Sequence, residues 1–362
     1  MKYLKQIISL ILLATVSTVE AQIVVEAGNA ESLLEAIDRA NKQNVDSAAS
    51  RLYVFIPNGV YDLGDRTLTE IWGHNIALVG ESMEGVIIKN APAVENEGIS
   101  KTATILNRGW NTYVQDLTLQ NALDYYRSGP AGRAVCWQDK GNYTIFKRVR
   151  MLSYQDTYYS HSEECNHYFE DSEIHGTVDF ICGAGDVYFN RCLIVTEKRN
   201  EDGTGKNVIA APRTSTTNWG YVFDHCTVRN DVSLFALARG WHTHPRCAWL
   251  NTTLETPGKL LPTRFDPEGI RSVDNEFFEY HTMDAEGNAV TPSSNVVEFV
   301  VNDQCRRAET VMSEKEAAKY TVKNVFPKWR PDKKTRHLEK QITRHLEKQI
   351  ARIKKQYLKP AL

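Results

Sequence analysis

Nowhere in its 362 residues does the chain run through 18 consecutive apolar side chains, so no transmembrane helix is expected. Glycine (21) and proline (12) are too sparse for a collagen-like or low-complexity chain. Neither charge sign dominates: 43 Lys and Arg face 45 Asp and Glu, a formal net charge of −2, and no nucleic-acid partner is expected. Cysteine is scarce and irregular, with seven residues (Cys136, Cys165, Cys182, Cys192, Cys226, Cys247 and Cys305) and no CxxC or Cys/His pairs at zinc spacing. That excludes a disulfide scaffold and a structural zinc site, and the odd count leaves at least one thiol unpaired within the chain. Buried, hydrophobe-like cysteine is the expectation for most of them.

What is present is globular: 42% hydrophobic and 24% charged side chains. Residues 1–21 read as an export signal, with Lys2 and Lys5, an apolar run from Ile7 to Val16, and Val19-Glu20-Ala21 before Gln22. Cleavage is expected near Ala21-Gln22, placing the mature protein in the periplasm or outside the cell. Charge is segregated along the rest. Residues 22–332 carry 31 basic and 42 acidic side chains, whereas Lys333 to Lys359 holds ten basic against two acidic.

Length alone suggests two domains, but an internal repeat outranks that prior. Tyr113-Val-Gln-Asp-Leu-Thr-Leu119, Ile145-Phe-Lys-Arg-Val-Arg-Met151, Tyr168-Phe-Glu-Asp-Ser-Glu-Ile174, Tyr188-Phe-Asn-Arg-Cys-Leu-Ile194 and Val222-Phe-Asp-His-Cys-Thr-Val228 share one pattern, with Ala248-Trp-Leu-Asn-Thr-Thr-Leu254 a looser sixth. Each opens on two large apolar residues, crosses two mostly polar ones and ends in alternation, the signature of short strands. Their starts lie 32, 23, 20, 34 and 26 residues apart. Such spacing suits one coil per roughly 20 to 25 residues with loop insertions. The predicted fold is therefore all-β: a single-stranded, right-handed parallel β-helix whose inward side chains stack from coil to coil, roughly 4.8 Å apart. Cys192 and Cys226 hold the same position in their repeats and are expected to stack as small interior residues.

A β-helix must cover its ends. Apolar residues at helical spacing between Ala30 and Ala40 predict an N-terminal cap helix. At the other end Thr335-Arg-His-Leu-Glu-Lys-Gln-Ile342 recurs letter for letter as Thr343 to Ile350, and Leu338, Ile342, Leu346, Ile350 and Ile353 fall on one helix face. Two readings of this basic amphipathic tail stay open: a solvated or loosely docked helix, or one that contacts an anionic polymer or surface. The expected organisation is a signal over 1–21, the β-helix over 22–300 and an extension over 301–362.

The period places polar residues in columns. Arg133, Asp156 and Asp179 are spaced by 23 and 23 residues, so coils without insertions stack all three. Two carboxylates held that close do not both ionise readily, and one raised pKa beside one ordinary one makes an acid and a base. Apolar neighbours and flanking glycines surround Asp179 in Gly176-Thr-Val-Asp-Phe-Ile-Cys-Gly183, while Gln155 sets an amide beside Asp156, suited to a developing oxyanion.

These segments carry a resemblance. Tyr154-Gln-Asp-Thr157, Gly176-Thr-Val-Asp-Phe-Ile181 and Leu237-Ala-Arg-Gly-Trp241 resemble, in order and spacing, the signature blocks of pectin methylesterases, which are right-handed parallel β-helices. His161-Ser162, Pro57-Asn-Gly-Val-Tyr61 and Leu78-Val-Gly-Glu81 fit the same pattern, and the likeness covers roughly residues 22–300. It implies a secreted carbohydrate esterase acting on galacturonate methyl esters of a pectic polysaccharide. Asp179 would be the nucleophile, Asp156 the general acid and then base, Gln155 an oxyanion donor, and Arg239 the partner that keeps Asp179 ionised. Trp241 would wall the sugar, with Arg133, Phe180 and Tyr158 as further substrate contacts. The chemistry calls for no metal and no cofactor.

The chain departs from that family at Gly132-Arg-Ala-Val135, where Arg133 stands in place of a glutamine. Its guanidinium has three possible uses: donating to the oxyanion, pairing with Asp156 and lowering its pKa, or meeting a free carboxylate on a neighbouring uronate. Ala238 and Gly240 stand where the family tends to have Gly and Pro, and the stretch from Ser160 to Tyr168 has extra residues, Cys165 and His167 among them, expected at the cleft rim. The alternatives to a pectin methylesterase are an esterase of different specificity (an unusual pectic side chain, an acetyl ester or a thioester) and a non-catalytic pectin-binding β-helix. A uronate lyase shares the fold by analogy only.

Overall fold

The computed structural model describes residues 22–128, 132–214, 219–230, 234–241, 245–269 and 276–357. In the last helix it describes side chains as far as Arg344 and at Glu347. The export segment and the side chains of Leu346, Ile350 and Ile353 lie outside the described residues.

The chain coils as the repeats predict, with three strands per turn. One coil runs Asn166–Glu170, Glu173–Gly176 and Val178–Gly183, and the next runs Asp186–Asn190, Leu193–Thr196 and Lys206–Pro212. Each strand pairs in parallel with its counterpart one coil on, as in Tyr168↔Tyr188, Ile174↔Ile194 and Cys182↔Ala211. The result is a parallel β-helix with three faces. An antiparallel hairpin, Val296–Val301 with Gln304–Glu309, follows the last coils.

The seven-residue repeat is not one straight strand. Its fourth position is a corner, with φ of 55° at Asp116, 50° at Arg148 and Asp171, 53° at Arg191 and His225, and 52° at Asn251. A side chain in this left-handed region costs about 1–2 kcal/mol, least for the Asn and Asp that hydrogen-bond locally. Ion pairs between neighbouring corners offset part of it: Arg148 Nε donates to Asp116 Oδ1 at 2.6 Å and Arg191 Nε to Asp171 Oδ1 at 2.9 Å.

Bending at that residue sends the second and fifth positions inward. The second positions form an aromatic ladder through the core, Phe146–Phe169–Phe189–Phe223–Trp249, with ring centroids 4.2, 4.7, 4.4 and 3.8 Å apart. Cys192 and Cys226 occupy the fifth position of adjacent coils as buried free thiols, as their repeat positions predict. Among the seven cysteines only Cys305, on the hairpin, is exposed.

Both ends of the sequence supply covers. The predicted cap helix is Ala30–Gln43, started by Asn29, whose side chain accepts from the Ser32 N–H at 3.0 Å. It buries Leu33, Ala36, Ile37 and Ala40 against the first coils. The first positions of the repeat point outward, and the tyrosines there would be wet without a lid. The C-terminal segment provides it: Phe326, Trp329, Leu338 and Ile342 pack with Tyr113, Tyr168 and Tyr188 in one buried cluster. The long helix Pro331–Tyr357 is tied down where Arg148 Nη1 donates to Glu339 Oε1 at 2.6 Å. A solvated or loosely docked tail is therefore corrected for its first half, because the outward tyrosine column needs an apolar cover. No helix among the described residues is long and apolar enough to cross a membrane.

Candidate active site

The third face presents its outer surface as a cleft. Asp179 lies in the third-face strand Val178–Gly183, and Asp156 just precedes the strand Tyr158–Ser160 one coil earlier. These coils keep the 23-residue offset, since Tyr158 pairs with Ile181 and Ser160 with Gly183. On the other side the coil is shorter: Tyr158 pairs with Trp137, and Arg133 bridges Gln155 instead of Asp156. The 23-and-23 column is therefore true of the two aspartates and out by one residue at Arg133.

Both aspartates adopt left-handed backbone, with φ of 60° at Asp156 and 52° at Asp179. Strained φ of this kind is held only where surroundings over-determine it. Here it turns two carboxyl groups to the cleft while their neighbours fill the core. The cavity they share, about 190 Å³, is lined by Ile99, Arg133, Gln155, Asp156, Asp179, Arg239, Gly240 and Trp241. Six of the eight residues named from sequence thus converge on one pocket.

Phe180 and Tyr158 do not. Each is fully buried in the central core, and the Tyr158 hydroxyl lies 2.5 Å from His167 Nδ1. Alternation explains Phe180, which is next to the outward Asp179 and so points inward. Tyr158 is two residues from Asp156 and turns inward because the left-handed backbone at Asp156, before the strand Tyr158–Ser160 begins, breaks the alternation. Tyr159, the outward neighbour, stands near the cleft beside Trp241, ring centroids 6.2 Å apart. Cys165 and His167 are likewise buried instead of lining the rim.

Arg239 comes from the strand Leu234–Arg239, two coils beyond Asp179. Its Nε donates to Asp179 Oδ1 at 2.7 Å and its Nη2 to Oδ2, while Nη1 pairs with Glu268 Oε1 at 2.9 Å. Asp156 has looser company. The Cys182 thiol donates to its Oδ1 at 3.8 Å, and Arg133 Nε lies 3.8 Å from its Oδ2. Arg133 itself is gripped by Glu97, which accepts from its main-chain N–H at 3.2 Å and from Nη1 at 3.4 and 3.5 Å.

These surroundings split the pair. Burial pushes the Asp156 carboxyl well above its ordinary range, and the charge of Asp179 adds to this; Arg133, the Cys182 thiol and Arg239 pull the other way and lose. Asp179 is raised too, again by burial, but the Arg239 fork opposes that directly. The arrangement therefore favours one proton on Asp156 beside an ionised Asp179. Burial also raises the Cys182 thiol far above its usual value, so it stays neutral.

Sequence reasoning missed Glu97, Ile99, Tyr159, Arg213 and Glu268. Tyr159 is three residues from Asp156, where plain alternation points inward, and the left-handed backbone at Asp156 that reverses this leaves no mark in the sequence. Arg213, whose guanidinium carbon lies 5.4 Å from the Trp241 ring centre, and Glu268 reach the site from separate coils with no shared pattern. Among the described residues no group of three or more His, Cys, Asp or Glu is placed to hold a metal ion.

The chain is 27% identical over 271 residues to pectinesterase/pectinesterase inhibitor 18 of Arabidopsis thaliana, a match covering 70% of this chain and 44% of that protein. It thus spans less than half the length of that relative. In fold it is similar to the pectin methylesterase PemA from Erwinia chrysanthemi, at 24% identity and a TM-score of 0.67, covering 87% of this chain and 99% of the other. A pectin methylesterase solved in complex with a hexasaccharide is similar to the same degree, at 23% identity, a TM-score of 0.67 and the same coverage. The sequence model of the family described as Pectinesterase matches residues 22–328, which take in all of the β-helix, the hairpin and the start of the C-terminal cover, and the chain belongs to that family.

Proposed function

We propose that the chain is a carbohydrate esterase that hydrolyses galacturonate methyl esters in pectin or a related pectic polymer. The observation that carries this reading is the pair of buried aspartates with unequal environments, one forked by Arg239 and one kept proton-loving by burial.

In this reading the Asp179 carboxylate attacks the ester carbonyl carbon, forming a tetrahedral oxyanion to which Gln155 donates. As the oxyanion collapses, Asp156 gives its proton to the departing methoxide, releasing methanol and leaving the acyl group on Asp179 as an anhydride. Asp156, now a carboxylate, takes a proton from the water that attacks this anhydride. Collapse returns Asp179 as a carboxylate, Asp156 as an acid, and the uronic acid as product. Trp241 supplies an apolar wall for a sugar ring, and a structural neighbour with a bound hexasaccharide is in keeping with a polymer substrate.

Arg133 on the cavity wall favours a second reading, an esterase for another ester of the same polymer, such as an acetyl or side-chain methyl ester. The test is product analysis with matched substrates. Methanol from highly methylated pectin in excess of acetate from acetylated pectin supports the first reading, and the reverse order supports the second. An unsaturated, ultraviolet-absorbing product, or pectin binding without any ester cleavage, contradicts both.

We also infer export, on the apolar run and small residues before Gln22. The basic tail is read as a contact for an anionic polymer, since Lys333, Arg336, Lys340 and Arg344 are exposed along a helix whose other side is docked.

A further inference from the structure

Among the described residues, Glu97 and Asp156 both bring a carboxylate to Arg133, and they hold it unequally. Glu97 binds it at the base and the tip, through the main-chain N–H at 3.2 Å and Nη1 at 3.4 and 3.5 Å. Asp156 is only approached, its Oδ2 lying 3.8 Å from Nε. Glu97 is itself fixed, ending the short turn Val94–Asn96 with its N–H donating to the Val94 carbonyl at 3.2 Å.

We propose that Glu97 is a positioning residue of this cleft: by holding Arg133 at both its main-chain N–H and its guanidinium, it keeps that cation from closing onto Asp156 and leaves it facing the cavity. The proposal deepens the esterase reading, on which its kinetic arm rests.

Among the described residues, the charged and titratable groups around Asp156 come from five places, the first being the strand Tyr158–Ser160 that follows it, with Tyr159. Asp179 and Cys182 lie on the next coil, Arg239 two coils beyond that, Arg133 on the preceding coil, and Glu97 on the loop outside it. Arg239 is committed, with its fork on Asp179 and its remaining arm on Glu268. Arg133 is the cation whose distance to Asp156 has slack. Closing that gap would create charge-assisted hydrogen bonds that the ionised carboxyl group accepts far more strongly than the protonated one. Asp156 would then lack the proton that a leaving alcohol needs. Glu97 opposes this twice, by tethering the guanidinium and by offsetting its charge.

An infrared titration tests the proposal without reference to activity. The carbonyl band of protonated Asp156, identified as the band that Asp156→Asn removes, is followed against pH in the wild type, Glu97→Gln, Arg133→Gln and the double variant. The midpoint is expected to fall by about one pH unit in Glu97→Gln and to rise in Arg133→Gln. In the double variant it should stay at the Arg133→Gln value. The alkaline limb of kcat/KM should move with it, a readout that a fold defect, which only lowers amplitude, does not mimic. An unmoved midpoint in Glu97→Gln, or an equal fall with and without Arg133, overturns the proposal. Should Glu97→Gln fold poorly, Glu97→Asp keeps the charge and loses the reach. The same downward shift is then expected, and its absence is equally damaging. If the wild type cleaves no ester, the esterase reading falls while the infrared arm still decides this one.

Discussion

Arg239 holds both oxygens of Asp179, Nε on Oδ1 at 2.7 Å and Nη2 on Oδ2, across two coils of the β-helix. The fork fixes the plane of the carboxylate and offsets the burial that would otherwise protonate it. Arg239→Lys keeps the charge without the fork, and kcat on pectin is expected to fall about tenfold to a hundredfold. Arg239→Met leaves a buried carboxylate unpaired. It should lose about a thousandfold and move the acid limb of the pH profile upward, since Asp179 must then be deprotonated against burial alone. Steady-state rates across pH check both, and an unmoved acid limb in Arg239→Met speaks against Arg239 acting through Asp179.

The raised Asp156 carboxyl also makes stability depend on pH. Between the ordinary aspartate value, about 3.9, and the raised folded one, the folded protein binds more protons at this site than the unfolded chain. Stability contributed here is complete below that window and is lost as pH rises through it. Asp156→Asn abolishes the loss, so its advantage over the wild type should grow across the window and then level. The expected size is about 1.4 kcal/mol for each unit by which the folded value is displaced. Denaturant midpoints measured at several pH values test this, and parallel curves for the two proteins would refute it.

The aromatic ladder carries the core. Phe189 stacks between Phe169 at 4.7 Å and Phe223 at 4.4 Å and is fully buried. Phe189→Ala is expected to cost about 3–5 kcal/mol, the transfer term plus a cavity the rigid coils cannot close. Urea unfolding measures it, and a loss under about 1 kcal/mol would mean the coils do relax.

The C-terminal cover is a separate source of stability. Leu338 and Ile342 are 7% and 4% exposed over the outward tyrosines. Leu338→Asp buries a charge in that cluster and should release the helix, costing about 2–4 kcal/mol and opening it to limited proteolysis. The cleft lies on another face, so ester turnover per folded molecule should persist. Turnover lost together with the helix would tie the tail to the site.

Much of this was legible because a β-helix repeats itself. Phe169, Phe189 and Phe223 share a repeat position and share a column, and Asp156 and Asp179 lie 23 residues and one coil apart. The corner at the fourth position was not legible, since Asp171, Arg191 and His225 have no common side-chain chemistry; what they share is a backbone angle. Arg133 sits one residue out of the column because its coil offset is 22, to Gln155, and falls to 21 at Trp137, against 23 from Tyr158 to Ile181, which sequence separation alone does not show. Phe180 is sent to the core by alternation from Asp179, whereas Tyr158 was not legible, since alternation from Asp156 points it to the cleft and the left-handed backbone at Asp156 reverses that. Glu97 and Glu268 reach the site from irregular segments, where neither period nor propensity points anywhere.

Whether Asp179 is the nucleophile of an ester hydrolysis is decided by methanol release from highly methylated pectin, measured for the mature protein beside Asp179→Ala. The wild type is expected to release methanol, and Asp179→Ala to fall to background with its fold intact by circular dichroism. Release that survives in Asp179→Ala would contradict Asp179 as the nucleophile, and no release from the wild type would contradict the esterase itself.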